Sequence, residues 1–219
     1  AYETRVSTTN TIASGNCGEN AEWALSFDGI LTISGSGAMS DNNPNQTPWE
    51  SYKQQIKHIV IGKDITSIGK FNFYLCRNIE SVSFEEGTKL ERIGWGAFGY
   101  SSLPSITIPD SVTRIDGYAF YFCHQLAEVT ITENSALTSM GEYVFKADTK
   151  LSYLYIPDGV TNIGWNIFQD ATENVKFSVA ANSYAQAYAE KYGVAYETRV
   201  STTNTIASGN CGENAEWAL

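Results

Sequence analysis

Cysteine and histidine are the side chains here that could serve as nucleophile, base or soft metal ligand. The chain of 219 residues holds four cysteines and two histidines. Cys123 and His124 are adjacent, and a thiol nucleophile needs its base within hydrogen-bond reach. Cys123, however, falls at the same inward position of a recurring segment as Cys76, so His124 is expected to point away from it. Cys76 and Cys123 lie two such segments apart, roughly 9–10 Å, beyond the reach of a disulfide. Both are expected as buried free thiols. Cys17 and Cys211 occupy two copies of "SGNCGEN" with no C-x-x-C partner, which argues against zinc. They read as lone thiols of a cap, with a disulfide between molecules as the alternative.

His58 and His124 are about three segments apart, too far to share a metal. The Asx-rich stretch "SDNNPNQT" at 40–47 offers only Asp41 as a carboxylate and lacks the spacing of a calcium loop; such composition is ordinary in turns. There is no glycine-rich phosphate loop, no G-x-S-x-G and no H-E-x-x-H. No catalytic, cofactor-binding or metal site is expected, and the chain does not read as an enzyme.

With 42% hydrophobic and 13% aromatic residues the sequence can build a core. A formal net charge of −10 argues against nucleic acid and against anionic membrane surfaces, both of which need a basic patch. No apolar run approaches 18 residues, so membrane insertion is not expected. The start, without an initiator Met or a basic leader, reads as that of a fragment or mature segment.

Two repetitions organise the chain. Residues 1–25 recur letter for letter at 195–219. Between them, Phe73, Phe98, Phe120, Phe145 and Phe168 recur every 22–25 residues, each five residues after Ile68, Ile93, Ile115, Met140 or Ile163. Glycine follows that residue in four cases, and Asp116 in the other. Seven or eight residues after each Phe comes a short alternating run: "SVSF", "SITI", "EVTI", "YLYI" and "VKFS", with "HIVI" ahead of the first. One strand and one Phe per unit make a solenoid, because a single unit cannot bury its Phe and stacked units can. The strands are expected to pair in parallel, giving about 25–30 Å for six coils. Ile59, Ile61, Val82, Phe84, Ile106, Ile108, Val129, Ile131, Leu154, Ile156, Phe177 and Val179 are expected to point inward.

Segments such as "ITIPDSVTRIDGYAFYFCHQLAEVTI" and "LYIPDGVTNIGWNIF" resemble the BspA-like (Treponema pallidum-type) leucine-rich-repeat family, across about 56–183. The stretch "GNCGENAEWALSFDGILTISGSGAMSD" resembles the cap that precedes such repeats. The resemblance implies an α/β leucine-rich-repeat solenoid of about five to six coils in a secreted or cell-surface protein, an adhesion or recognition module without catalysis.

The ends need caps, since a terminal coil exposes both core and strand edge. "WALSFDGILTISG" predicts a β-hairpin with its turn at Asp28-Gly29. In "TPWESYKQQI", Thr47 and Glu50 suggest a capping box on a short helix. "NSYAQAYAEKYGV" predicts a helix capped by Ser183 and Gln186, stopped by Gly193, with Tyr184, Tyr188 and Tyr192 covering the last coil. The expected divisions are 1–55 for the N-terminal segment and hairpin cap, 56–183 for the solenoid, 184–194 for the helical cap, and 195–219 for the copy. The copy reads as the start of a next tandem unit or as an assembly tail.

Outward strand positions form columns, and His58, Glu128, Tyr153, Tyr155 and Lys176 are the candidate binding face, for an unidentified protein or surface ligand. The copy carries one strand of the predicted hairpin and lacks its turn and second strand. Its segment at 215–219 is therefore expected to be unpaired, with Trp217 and Leu219 exposed. The alternative is that it replaces residues 1–25 of another molecule, so Cys211, Trp217 and Leu219 are the candidate assembly residues for head-to-tail association.

Overall fold

The computed structural model describes residues 10–171, 175–199, 208–212 and 215–218. It begins with an antiparallel meander of β1 (Thr11–Asn16), β2 (Gly18–Ser26) and β3 (Ile30–Met39). The predicted hairpin is the β2–β3 pair. Gly29 takes φ 81° and its amide donates to the Ser26 carbonyl at 3.0 Å. β1 goes beyond the expectation: "TIASGN" is too rich in Ser, Gly and Asn to show a strand pattern, and pairing with β2 holds it extended.

β3 serves two sheets. Ile30–Ile33 pair in parallel with β4 (His58–Ile61), and Gly37–Ala38 with β5 (Ile65–Ile68). The corner between them needs glycine. Gly35 sits at φ 83°, and a Cβ there would stand 2.1 Å from the Asn20 carbonyl oxygen.

Before β4, Glu50–Gln55 form a 3₁₀ helix without a side-chain cap. The predicted capping box is not made: Thr47 Oγ1 donates to the Glu50 carboxylate at 3.1 Å. The entry is fixed by Trp49, which is fully buried and gives its indole N–H to the Asn72 carbonyl at 3.1 Å.

Six coils follow. The first holds β4 and β5. The next four hold β6 (Ser81–Phe84) and β7 (Arg92–Ile93), β8 (Ser105–Thr107) and β9 (Arg114–Ile115), β10 (Glu128–Thr130) and β11 (Ser139–Met140), and β12 (Tyr153–Tyr155) and β13 (Asn162–Ile163). The sixth holds β14 (Lys176–Ala180) and then α1 (Tyr184–Tyr192). One sheet runs unbroken through β3, β5, β7, β9, β11 and β13. The other carries the alternating runs as parallel blocks, β3–β4–β6, β8–β10 and β12–β14. Of the positions expected inward, all are buried except Val82 and Phe84, which are half-buried.

The Phe positions form a ladder on the third side of each coil. Ring centres are 5.1 Å apart for Phe73–Phe98, 5.4 Å for Phe98–Phe120, and 5.5 Å for both Phe120–Phe145 and Phe145–Phe168. Trp49 stacks on the near end at 5.6 Å, and Phe177 meets the far end at 5.4 Å. Backbone bonds run alongside from coil to coil, such as Phe98 N–H to Ala119 O at 2.8 Å and Phe120 N–H to Val144 O at 2.9 Å. The glycines after the Ile/Met position let adjacent coils close. A Cβ on Gly141 would lie 2.2 Å from the Gly117 nitrogen. Where Asp116 stands instead, its buried carboxylate takes Arg92 at 2.5 Å and also binds Arg114.

At the far end, Ser183 Oγ accepts from Gln186 N–H at 3.2 Å, Gly193 closes the helix at φ 69°, and Val194 N–H reaches back to Ala189 O at 2.9 Å. Ala185, Tyr188 and Ala189 are buried, while Tyr184 is 46% exposed. The cap is therefore made by Ala185, Tyr188 and Ala189 with Tyr192 packed beside them, and of the tyrosine stripe only Tyr184 stays outside. At 100° per residue, positions 185, 188 and 189 face the coil, and 184 falls off that face.

The chain does not leave the solenoid at Val194. β15 (Ala195–Arg199) adds to the edge of β14 in parallel, with Phe177 opposite Tyr196 and Ala180 opposite Arg199. The edge of β14 would otherwise be open, and Ala195–Arg199 satisfies it. Further on, β16 (Ser208–Gly212) and β17 (Ala215–Ala218) pair antiparallel. Their partners Ser208–Ala218, Gly209–Trp217 and Asn210–Glu216 repeat Ser14–Ala24, Gly15–Trp23 and Asn16–Glu22 of the first copy. The segment expected to be unpaired is therefore paired along one edge, because the copy includes the equivalent of β1. Leu219 and the side chains of Cys211 and Trp217 lie outside the described residues.

Candidate strand-face interface

Alternation sends every second residue of the strands to solvent, and the parallel register stacks them in columns. His58 stands beside Ser81, Ser105 beside Glu128, and Tyr153 beside Lys176. The columns extend beyond the predicted set: Ile30 and Thr32 of β3 flank His58 and Val60. Glu197 of β15 flanks Ser178.

The five candidate residues differ in what holds them. His58 Nδ1 is 2.9 Å from Ser81 Oγ, and its other ring nitrogen is 3.8 Å from the Glu80 carboxylate. Glu128 accepts from Thr130 Oγ1 at 3.1 Å. Tyr153 is 45% exposed. Tyr155 lies under the Arg199 guanidinium, 4.0 Å from its ring centre, and Lys176 pairs with Glu197 at 2.5 Å. Arg199 also donates to the Ile156 carbonyl at 2.8 Å, to Asp158 at 2.5 Å, and to Ser178. Ser178, an outward position by alternation, is buried beneath it.

Two concavities open along the strands. One of about 250 Å³ is lined by Glu128, Thr130, Tyr153 and Tyr155 among others. A cleft of about 610 Å³ lies at the cap end, and its lining includes Ala24, Ile30, Thr32, Val60, Lys63 and Glu85. Lys63 N–H donates to Glu85 Oε2 at 3.0 Å, and Lys89 binds Asp64 at 2.7 Å, holding that carboxyl below its ordinary value.

The turn side carries a feature that reading the strands alone misses. Phe71, Trp95, Tyr118, Tyr143 and Trp165 form a second aromatic column, with successive ring centres 5.0, 4.8, 4.9 and 5.2 Å apart. Tyr74, Tyr100, Tyr121 and Phe122 cluster beside it. Phe71, Tyr100, Tyr118, Phe122 and Tyr143 all have φ between 55° and 60°, a left-handed conformation unusual for aromatic residues. The signal was present: an aromatic residue stands two or three places before every ladder Phe.

Cys123 and His124 turn to different partners. The thiol donates to the Phe98 carbonyl at 3.1 Å, and His124 Nδ1 meets the Ala147 carbonyl at 3.1 Å. Cys17, Cys76 and Cys123 are free and buried. Burial pushes the Cys17 and Cys76 thiols up to about 12, the opposite of what a nucleophile needs. Asp41 Oδ1 accepts from Lys70 N–H at 2.7 Å. Among the described residues no three His, Cys, Asp or Glu side chains are placed to hold a metal ion. No described helix is long and apolar enough to cross a membrane.

No curated protein matches the chain. Among solved structures, the pneumococcal vaccine antigen PcpA is 20% identical with a TM-score of 0.54, over 77% of this chain and 51% of that one. A leucine-rich repeat protein from Eubacterium ventriosum is 21% identical with a TM-score of 0.40, over 78% and 67%. A leucine rich cell surface protein from Faecalibacterium prausnitzii is 20% identical with a TM-score of 0.45, over 75% and 54%. The chain thus spans about half the length of the pneumococcal antigen it matches. Six copies of the BspA type leucine rich repeat region match residues 51–175, and by these repeats the chain belongs to the BspA-type leucine-rich-repeat family.

Proposed function

We propose that this chain is a non-enzymatic recognition module of a secreted or cell-surface protein, binding an extracellular protein through its outer strand face. The observation that carries the reading is the run of solvent-facing columns from Ile30 to Tyr153, with the 610 Å³ cleft at one end. The BspA-type repeat supports it, and the solved pneumococcal relative with this fold is a vaccine antigen, which fits an exposed location. The test is solid-phase binding to immobilised extracellular-matrix proteins and mucin. Tyr153→Ser and Thr32→Arg are expected to lose at least tenfold in affinity while their melting temperatures stay near that of the parent. Equal binding by both variants, or loss confined to a Trp165→Ser variant on the turn side, contradicts the strand-face reading.

A second reading has its own support: a structural unit that assembles head to tail through the duplicated segment. The β16–β17 hairpin repeats the register of β1–β2, so the copy is a folded likeness of the first two cap strands.

A further inference from the structure

The edge of β14 is built for one sequence. Ala195–Arg199 lies along it in a single register, and three side chains of that strand find specific partners. Tyr196 donates its hydroxyl to Glu190 at 2.8 Å. Glu197 pairs with Lys176 at 2.5 Å. Arg199 reaches the Ile156 carbonyl, Asp158 and the Tyr155 ring. The same five residues, Ala-Tyr-Glu-Thr-Arg, stand at 1–5. The acceptor cannot distinguish two identical strands.

We propose that the β14 edge, filled in this structure by the chain's own Ala195–Arg199, is a strand-acceptor site for Ala1–Arg5 of a second copy, in the same parallel register. This rests on the head-to-tail reading above and names its joint. Arg5 of the second copy then takes the place of Arg199 over Tyr155, and Glu3 that of Glu197 beside Lys176. Edge addition draws affinity from backbone bonds and specificity from alternate side chains.

A chain cannot fill this site with its own N-terminus. Arg5 is five residues from Asn10, a reach of about 17 Å. The acceptor lies across the solenoid from β3, seven strand spacings or about 34 Å away. Any occupant from residues 1–5 therefore comes from another molecule. The contact joins one molecule's start to the next one's end, so it propagates as a chain unless the rotation closes a ring. The chain's own tail competes as an intramolecular strand, at an effective concentration on the order of millimolar. The intact chain is thus largely self-capped, and opening the site favours assembly.

The test uses the full chain. The Arg199 carbonyl faces β14's end, where it accepts from Ala181 N–H at 3.3 Å. Glu197, two residues back, faces the same way. Glu197→Pro removes the backbone N–H that residue 197 turns toward β14, and so unseats the tail. Light scattering over a concentration series is expected to show the parent mostly monomeric, Glu197→Pro forming growing multimers, and Glu197→Pro with Arg5→Ala falling back at least tenfold in association. A fluorescent peptide Ala-Tyr-Glu-Thr-Arg-Val is expected to bind Glu197→Pro and not the parent, a readout that needs no multimer. Multimers indifferent to Arg5→Ala, with no peptide binding, overturn this joint and leave assembly through another part of the copy. Monomers in every case with no peptide binding overturn both.

Discussion

The guanidinium of Arg199 lies 4.0 Å from the centre of the Tyr155 ring and 2.5 Å from Asp158, so a residue of the duplicated segment is fastened to the fifth coil of the solenoid. Within the copy, Ala195–Arg199 pairs with the last solenoid strand, while Ser208–Gly212 and Ala215–Ala218 pair with each other. Arg199→Ala is expected to cost about 1.5–3 kcal/mol, the range for hydrogen bonds to a charged group, read as a lower urea midpoint with little change in slope. No change in midpoint contradicts the contact.

The Phe ladder gives a second expectation. Phe120 is fully buried between Phe98 and Phe145. Phe120→Ala removes a ring from the middle of the array and is expected to cost about 3–5 kcal/mol. Because coils depend on their neighbours, exchange protection is expected to fall in the coils on both sides. An unaltered melting temperature would count against the ladder.

Gly141 tests how closely coils approach. Its absent side chain leaves 2.2 Å between an ideal Cβ and the Gly117 nitrogen, a backbone atom that cannot move alone. Gly141→Ala is expected to cost about 1–3 kcal/mol through overpacking. At Gly159 the nearest atom is 3.6 Å away, and Gly159→Ala is expected to stay within about 0.5 kcal/mol of the parent. Equal melting temperatures for the two variants would contradict the coil spacing.

Asp148 gives a pH dependence. It stands where Cys76 and Cys123 stand in their coils, is buried, and has one carboxylate oxygen without a partner. Burial holds its pKa well above the usual carboxylate range, although the Cys123 amide donates to its other oxygen at 2.7 Å. The folded chain then binds this proton more tightly than the unfolded chain. The contribution is greatest below the unfolded pKa and declines as pH rises toward the raised folded value. Melting curves for the parent and Asp148→Asn, from about pH 4 to pH 8, are expected to diverge in favour of the variant as pH rises. A constant difference across that range would show that Asp148 titrates normally.

The sequence made the solenoid legible because its signals repeat. A Phe every 22–25 residues and a two-residue alternation state one arrangement five or six times. What it concealed was not periodic. β1 has no strand pattern and is held by β2. Asp148 fills a cysteine position, and its burial follows from the coil rather than from its type. Tyr155 and Lys176 were legible as outward positions, but Arg199 and Glu197 stand over them, and both were assigned to a segment beyond the fold. The aromatic column on the turn side was visible as residues before each Phe, yet only the left-handed turns show that those rings meet.

The claim on which the strand-acceptor proposal rests is that Ala195–Arg199 completes the solenoid. Hydrogen–deuterium exchange over segment 195–199 of the intact chain measures it directly. The account predicts protection comparable to Lys176–Ala180, lost together with that strand's outer edge on Glu197→Pro. Exchange at the rate of an unstructured peptide in the parent would contradict it.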